Sequence, residues 1–297
     1  MNEENMNLGA LERPKDERDF PLGATIVPQP RAPRLNADMS WFKRNYQAQL
    51  PFCGPHSKSH NKAIQDHGFA PSVAQRFTPR FSAIRMKDPI SPSYDGYPVD
   101  AGTDMRALFK MAKTEGEDVF DPLENDTTLS IGDYANSNAV TPDMKTAAAQ
   151  SLINGYAFDQ TPGGPTYDSI ADATCQWKSV VLLIRCDSGF WGTLTPTFTE
   201  PKYGHFVTAY DYDDEKGGIY VVDSAEPDEQ FALKFIDKKY IVQPFFVEAG
   251  TTVDLPPSVH QALSQGQIDV AKQILANMSK ILELDLEWLK TKVHGSA

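Results

Sequence analysis

A secretion signal is missing from the first twenty residues, MNEENMNLGALERPKDERDF, which lack a basic start followed by an apolar run. No apolar stretch reaches membrane-spanning length, and the best, Val180 to Ile184, is only strand-sized. Positive charge is scarce: 28 Lys and Arg stand against 40 Asp and Glu, for a formal net charge of −12. That shortfall argues against nucleic-acid binding, which needs clustered Lys and Arg to neutralise phosphate. Cysteine is scarce too. With Cys53, Cys175 and Cys186 alone, at least one thiol is unpaired in a monomer, and a disulfide scaffold is excluded at this length. No spacing of His, Cys and acids suits a metal, and no glycine-rich loop suits a phosphate, so neither metal nor cofactor is expected. Internal repeats are also lacking.

What remains is a chain of 297 residues, 40% apolar, enough to bury one large core or two modest ones. Residues 1–40 carry Pro14, Pro21, Pro28, Pro30 and Pro33 and read as an extended arm. Residues 54–67 read as a helix. Asp104–Thr114 has apolar residues at Met105, Leu108, Phe109 and Ala112, a helical period, with Thr103 or Asp104 to cap it. Thr141–Asn154 reads as a second such helix, with Pro142 in its first turn and Gly155 past its end. The period then shortens. Lys178–Arg185, His205–Asp211, Gly218–Asp223 and Tyr240–Val247 read as strands, the middle two joined by a hairpin loop over 213–218. Cys175 and Cys186 flank a strand and read as core thiols, with a bridge between them left open.

Helices followed by an antiparallel sheet imply an α+β fold in two lobes. The expected division is the arm over 1–40 and a main domain over 41–250, its helical lobe about 41–155 and its sheet lobe about 156–250. A helical extension then occupies 251–297. Within the extension, 251–257 reads as a linker with Pro256 and Pro257. The stretch 258–293 repeats apolar residues at three-to-four spacing, and that stripe packs either on its own domain or on a partner, as a homo-oligomer or assembly seam.

The chemistry concentrates around Cys53. A thiol attacks as thiolate, and a helix N-terminus favours the thiolate through its partial positive charge and unpaired N–H groups. Cys53 stands just before the 54–67 helix, where Gly54 permits close approach and Pro55 is tolerated. Of the six histidines, His56 and His60 follow on the same helix face and read as surface or core-edge residues. His205 follows Gly204 and opens a strand, a rigid platform for an imidazole. If the two strands pair, Asp223 falls near the same end and can hold the imidazole tautomer.

Taken in order, these segments resemble the papain family of cysteine peptidases, closest to its short bacterial and phage members. Gln47 stands before Cys53 and its helix; Gly204-His205 and Asp223 follow far downstream. Lys15-Asp16-Glu17-Arg18-Asp19-Phe20 resembles an upstream arm of those members. Asp95–Gly102, followed by the Met105–Lys113 helix, resembles the glycine-bearing substrate strand, and Glu115–Pro122 the turn after it. The resemblance spans residues 14–247 and implies an enzyme with Cys53 as nucleophile and His205 as general base and acid. It implies Asp223 in the orienting place usually held by Asn, and Gln47 in the oxyanion hole with the Cys53 N–H. Gly102 and Gly204 would line the cleft, and the reaction would be hydrolysis of a peptide or related amide through a thioester. The partner would be a peptide or protein substrate. The place of action is left unknown; without a signal peptide or an apolar span, the expectation is the cytoplasm or a phage particle.

This sequence also departs from the family. Gly54-Pro55-His56 replaces Trp-Ala-Phe after the nucleophile. Asp223-Ser224-Ala225-Glu226 replaces Asn-Ser-Trp-Gly, so the shielding Trp is missing and the His205–Asp223 bond is expected to be wetter. A shifted register, with His56 in the nucleophile's place, would make the chain a non-catalytic binding or structural component, for instance of a virus particle.

Overall fold

The computed structural model describes residues 10–12, 30–72, 74, 76–117 and 125–253. In chain order the elements are β1 (Ala10–Leu11), α1 (Cys53–Phe69), α2 (Pro79–Lys87), β2 (Thr103–Asp104), α3 (Met105–Thr114), α4 (Ile131–Tyr134) and α5 (Pro142–Ala148). Then come β3 (Gly155–Phe158), α6 (Tyr167–Trp177), β4 (Val180–Cys186), β5 (Tyr203–Asp213), β6 (Gly218–Val222), β7 (Leu233–Asp237) and β8 (Phe246–Val253). The last six strands form one antiparallel sheet in the order β3-β8-β4-β5-β6-β7.

Period-2 alternation divides this sheet between two cores. Val180, Leu182, Ile184, Val207 and Ala209 face a core shared with Ile170, Ala171 and Ala173 of α6. Val181, Leu183 and Phe206 face the other way, toward Cys53, Phe81 and Ile84 of α2, and Leu108 and Phe109 of α3. The helical lobe therefore sits on one face of the sheet and α6 on the other. Local chemistry sets the helix starts. The Asp104 carboxylate accepts from Ala107 N at 2.9 Å, and Thr141 and Thr166 cap α5 and α6 with their hydroxyls.

Helix α1 is buried from Cys53 through Asp66, although most of its residues are polar. Each long polar side chain has a partner. Lys58 Nζ meets Glu117 at 2.6 Å, Lys62 Nζ meets Asp66 at 2.7 Å, and Asn61 donates to Ser179 at 3.0 Å. Gln65 donates to the Thr251 hydroxyl at 2.8 Å. Burial of that many polar groups is tolerated only because they are paired.

Several expectations need correcting. The helix expected over Thr141–Asn154 stops at Ala148, passes through a single 3-10 turn at Ala149–Ser151, and gives way to β3 at Gly155. Gly155 opens a strand because it pairs with Val253 of β8. The strand expected over Tyr240–Val247 starts only at Phe246, since 238–240 is a 3-10 turn and Phe245 N closes a turn on Val242 O at 2.9 Å. It then runs on through Thr251–Val253, so those residues belong to the sheet rather than to a linker. Helix α6 and strand β7 were not expected at all. No bridge forms between Cys175 and Cys186, and both thiols are free. His56 and His60 are fully buried instead of lying at a surface; His56 Nδ1 donates to Phe52 O at 2.7 Å, and Asn45 N donates to His60 Nε2 at 2.9 Å. The 15–20 arm segment, residues 118–122 of the 115–122 turn and the 258–293 stripe lie outside the described residues.

The paired charges of α1 make one prediction. Glu117→Gln leaves the buried Lys58 ammonium without its carboxylate, and the protein should lose about 3–5 kcal/mol. Urea unfolding monitored by circular dichroism measures it; a loss below about 1 kcal/mol would contradict the pairing.

Candidate active site

Cys53 is the first residue of α1 and is fully buried. Burial pushes its thiol up to about 12, against opposing N–H groups of Phe206 and Gly54 directed at the sulfur. The helix-terminus effect expected from sequence is thus present but outweighed. The Phe206 contact also fixes where the sulfur lies: beside the peptide that follows His205.

Strand β5 carries His205, and the end of β6 leads into Asp223. The strands pair from Thr208↔Val222 onward, so the two residues flank the same sheet end. His205 Nε2 donates to Asp223 Oδ1 at 2.8 Å, and both side chains are fully buried. The ring's other nitrogen, Nδ1, has no hydrogen-bond partner among the described residues. An imidazole held through Nε2–H presents Nδ1 as a lone-pair acceptor. For Asp223, burial works to raise the carboxyl. The hydrogen bond and charge of His205, then Lys234 and Ala225 N, outweigh it and hold the pKa below the usual value.

The expected wet bond is a dry one. Aromatic cover comes from a different segment: Phe190 stands 5.8 Å and Trp191 6.3 Å from the His205 ring, centroid to centroid. The doublet lies in Gly189-Phe190-Trp191-Gly192, and an aromatic pair between glycines was the sequence signal for it.

Gln47 sits in the same seam. Its N–H donates to Ser224 O at 2.8 Å, and its Oε1 accepts from the Ser224 hydroxyl at 2.9 Å. Its Nε2 donates to Leu50 O at 2.6 Å. The side-chain amide is thus fixed to the residue after Asp223 and to its own loop. An amide nitrogen has two hydrogens, so one N–H remains beyond the Leu50 bond.

Gly204 and the residue after Gly102 both lie against the chain's own Ala10. Gly102 has φ +78°, a conformation suited to glycine, and leads into Thr103, which pairs with Ala10 in a parallel two-residue ladder. A Cβ on Gly204 would stand 3.0 Å from the Ala10 carbonyl oxygen. Ala10 also packs on the apolar cluster that contains Cys53. Arg185, across from Gly204 in the sheet, binds Glu12 through two nitrogens, each at 2.5 Å. This short segment belongs to the 1–40 stretch expected as an extended arm, an expectation that named none of these contacts. Its only sequence signal was small and apolar residues, Gly9-Ala10-Leu11, inside an acidic terminus. Among the described residues, no group of three or more His, Cys, Asp or Glu could hold a metal ion.

No family model matches the chain, and no curated protein does. Solved structures do match. One is xylellain, a cysteine protease from Xylella fastidiosa, with 15% identity and a TM-score of 0.65 over 84% of this chain and 97% of that one. Another is the digestive procathepsin L 3 of Tenebrio molitor larval midgut, with 15% identity and a TM-score of 0.58 over 79% of this chain and 74% of that one. A third contains the cysteine protease and lectin-like domains of Cwp84, a surface layer associated protein of Clostridium difficile. It has 12% identity and a TM-score of 0.58, covering 86% of this chain and 58% of that one. At these identities the likeness establishes the fold, which is that of the papain-like cysteine proteases.

The buried thiol predicts an alkaline limb in stability. A folded-state pKa of about 12 against an ordinary 9.0 means that the folded protein keeps a proton the unfolded chain releases. The stability from this group is whole below about pH 9 and is lost as pH rises toward about 12. Unfolding midpoints between pH 8 and 11 should fall less steeply in Cys53→Ala than in the parent; equal slopes would contradict the assignment.

Proposed function

We propose that the chain is a cysteine-type peptidase that hydrolyses peptide or related amide bonds through a thioester on Cys53. The observation that carries this reading is the His205 ring. It is anchored through Nε2 to a buried carboxylate and leaves Nδ1 without a hydrogen-bond partner among the described residues, while the Cys53 sulfur lies against the next peptide of the same strand. The papain-like fold supports it. In this reading, Nδ1 takes the thiol proton as sulfur attacks the carbonyl carbon. The C–N bond then breaks as the imidazolium returns that proton to the leaving nitrogen. Water, deprotonated by the same ring, cleaves the thioester and restores the thiol. The Cys53 N–H and the second N–H of Gln47 would stabilise the oxyanion. An extended substrate would enter beside Gly102 and Gly204, where Ala10–Glu12 now lies. Kinship to the short bacterial and phage members belongs to the same reading.

A second reading has one observation in its favour. Cys53 is fully covered and its thiol strongly protonated, as suits a papain-fold protein used for binding or structure. The two separate in a displaced-segment experiment. Glu12→Arg sets like charges together at Arg185 and should release Ala10–Glu12 from this position. Mass spectrometry then follows alkylation of Cys53 and Cys175 by iodoacetamide, and a mixed fluorogenic peptide library reports turnover. For a peptidase, Cys53 in the released protein reacts faster than Cys175. Turnover appears, vanishes in Cys53→Ala, and falls by about 10³-fold or more in His205→Ala. A released Cys53 that reacts no faster than Cys175, with no turnover, would leave the binding reading standing.

A further inference from the structure

The His205–Asp223 pair is joined to a buried cation that the reaction just described does not use. Asp223 divides its two oxygens unequally. Oδ1 takes both His205 Nε2 at 2.8 Å and Ala225 N at 2.9 Å. Oδ2 has no hydrogen bond among the described residues and faces Lys234 Nζ at 3.7 Å. Lys234 is itself fully buried near the start of β7. Its ammonium meets Glu226 Oε2 at 2.8 Å and Thr193 O at 3.3 Å. It also lies 5.0 Å from the centre of the Phe190 ring, the same ring that covers His205.

A carboxylate beside a buried imidazole is an incomplete device on its own. Its charge has no water to screen it, and it opposes formation of a nearby thiolate, as it does for Cys53 here. The carboxylate plane can also turn, and nothing in the carboxylate itself fixes that rotation. A fixed cation beyond the far oxygen answers both problems. It offsets the negative charge at Asp223, and it favours the rotation in which Oδ2 faces Lys234 and Oδ1 faces His205.

We propose that Lys234 is the positioning residue of this site, acting on His205 through Asp223. Glu226 is the second ligand of the same ammonium and sets how much of its charge reaches Asp223. The inference rests on the thiol–imidazole reading above. The other charged or titratable groups around Asp223 are few. Arg44 donates to the backbone oxygens of Asp223 and Glu226 and pairs with Glu229. Tyr46 and the thiols of Cys53 and Cys186 also feel the Asp223 charge.

The test uses the full chain carrying Glu12→Arg as parent. It reads the pH dependence of Cys53 alkylation by iodoacetamide, and the His205 Nε2–H proton resonance. Lys234→Met removes the charge while keeping an unbranched chain of similar size. It should move the alkylation profile up by about one pH unit and broaden the ring-proton signal. Adding Asp223→Asn in that background should bring the profile back, because the unbalanced charge is then gone. Glu226→Gln frees Lys234 for Asp223 alone and should move the profile down. That variant keeps the ammonium, so it decides the matter even where Lys234→Met fails to fold. A purely structural Lys234 would lower the melting temperature of Lys234→Met without moving the profile, and Asp223→Asn would not restore it. An unmoved profile in both Lys234→Met and Glu226→Gln overturns the proposal. Failure of the peptidase reading looks different: Cys53 reactivity in the parent is then indifferent to His205→Ala, whatever Lys234 does.

Discussion

Two hydrogen bonds exchanged between one serine and one strand fix helix α1 in register with β5. The Ser57 hydroxyl donates to Phe206 O at 2.8 Å, and the Thr208 hydroxyl returns a bond of 2.8 Å to Ser57 O. All three residues are fully buried, so the bonds are not traded for water. They fix the first turn of α1 against the start of β5. Cys53 begins that turn and His205 precedes Phe206. The distance between thiol and imidazole is therefore set by backbone elements, not by mobile side chains.

Around that seam the structure has substituted one solution for another. Where the papain resemblance leads one to look for a tryptophan after the orienting residue, there is Ala225. The cover comes instead from Phe190 and Trp191 in the loop after β4. Where a neutral amide is usual, there is a carboxylate with a buried ammonium beyond it. The two changes belong together. A carboxylate needs a counter-charge in a dry place, and Phe190 serves both, lying against the ring and the ammonium at once.

Much of this was legible in the sequence because it depends on local pattern. The α1 start, the α3 period with its Asp104 cap, and the β5–β6 hairpin each follow from residues a few positions apart. The misses share another cause. Helix α6 and the short β7 have weak periods and are completed by the sheet between them. The end of the expected 141–154 helix was decided by Val253, almost a hundred positions away. His56 and His60 read as surface or core-edge residues because polarity usually means exposure, and nothing local reveals that every face of α1 is covered. The residues that the sequence offers as site candidates are those with a motif, Cys53, His205, Asp223 and Gln47. Lys234 and Arg185 have none, since a single cation in a strand reads as a solvated side chain until its neighbours are known.

Strand β8 lies inside the sheet, between β3 and β4, although it is the last described strand of the chain. Its Thr251 and Thr252 also supply the partners of Gln65 near the end of α1. Helix α1 and the centre of the sheet are thus finished by residues that leave the ribosome more than 180 positions after Gln65. Until then β3 lacks its one partner strand among the described residues, and the Gln65 amide lacks its threonine partners. The order of synthesis therefore makes the completion of α1 and of the sheet a late and shared event.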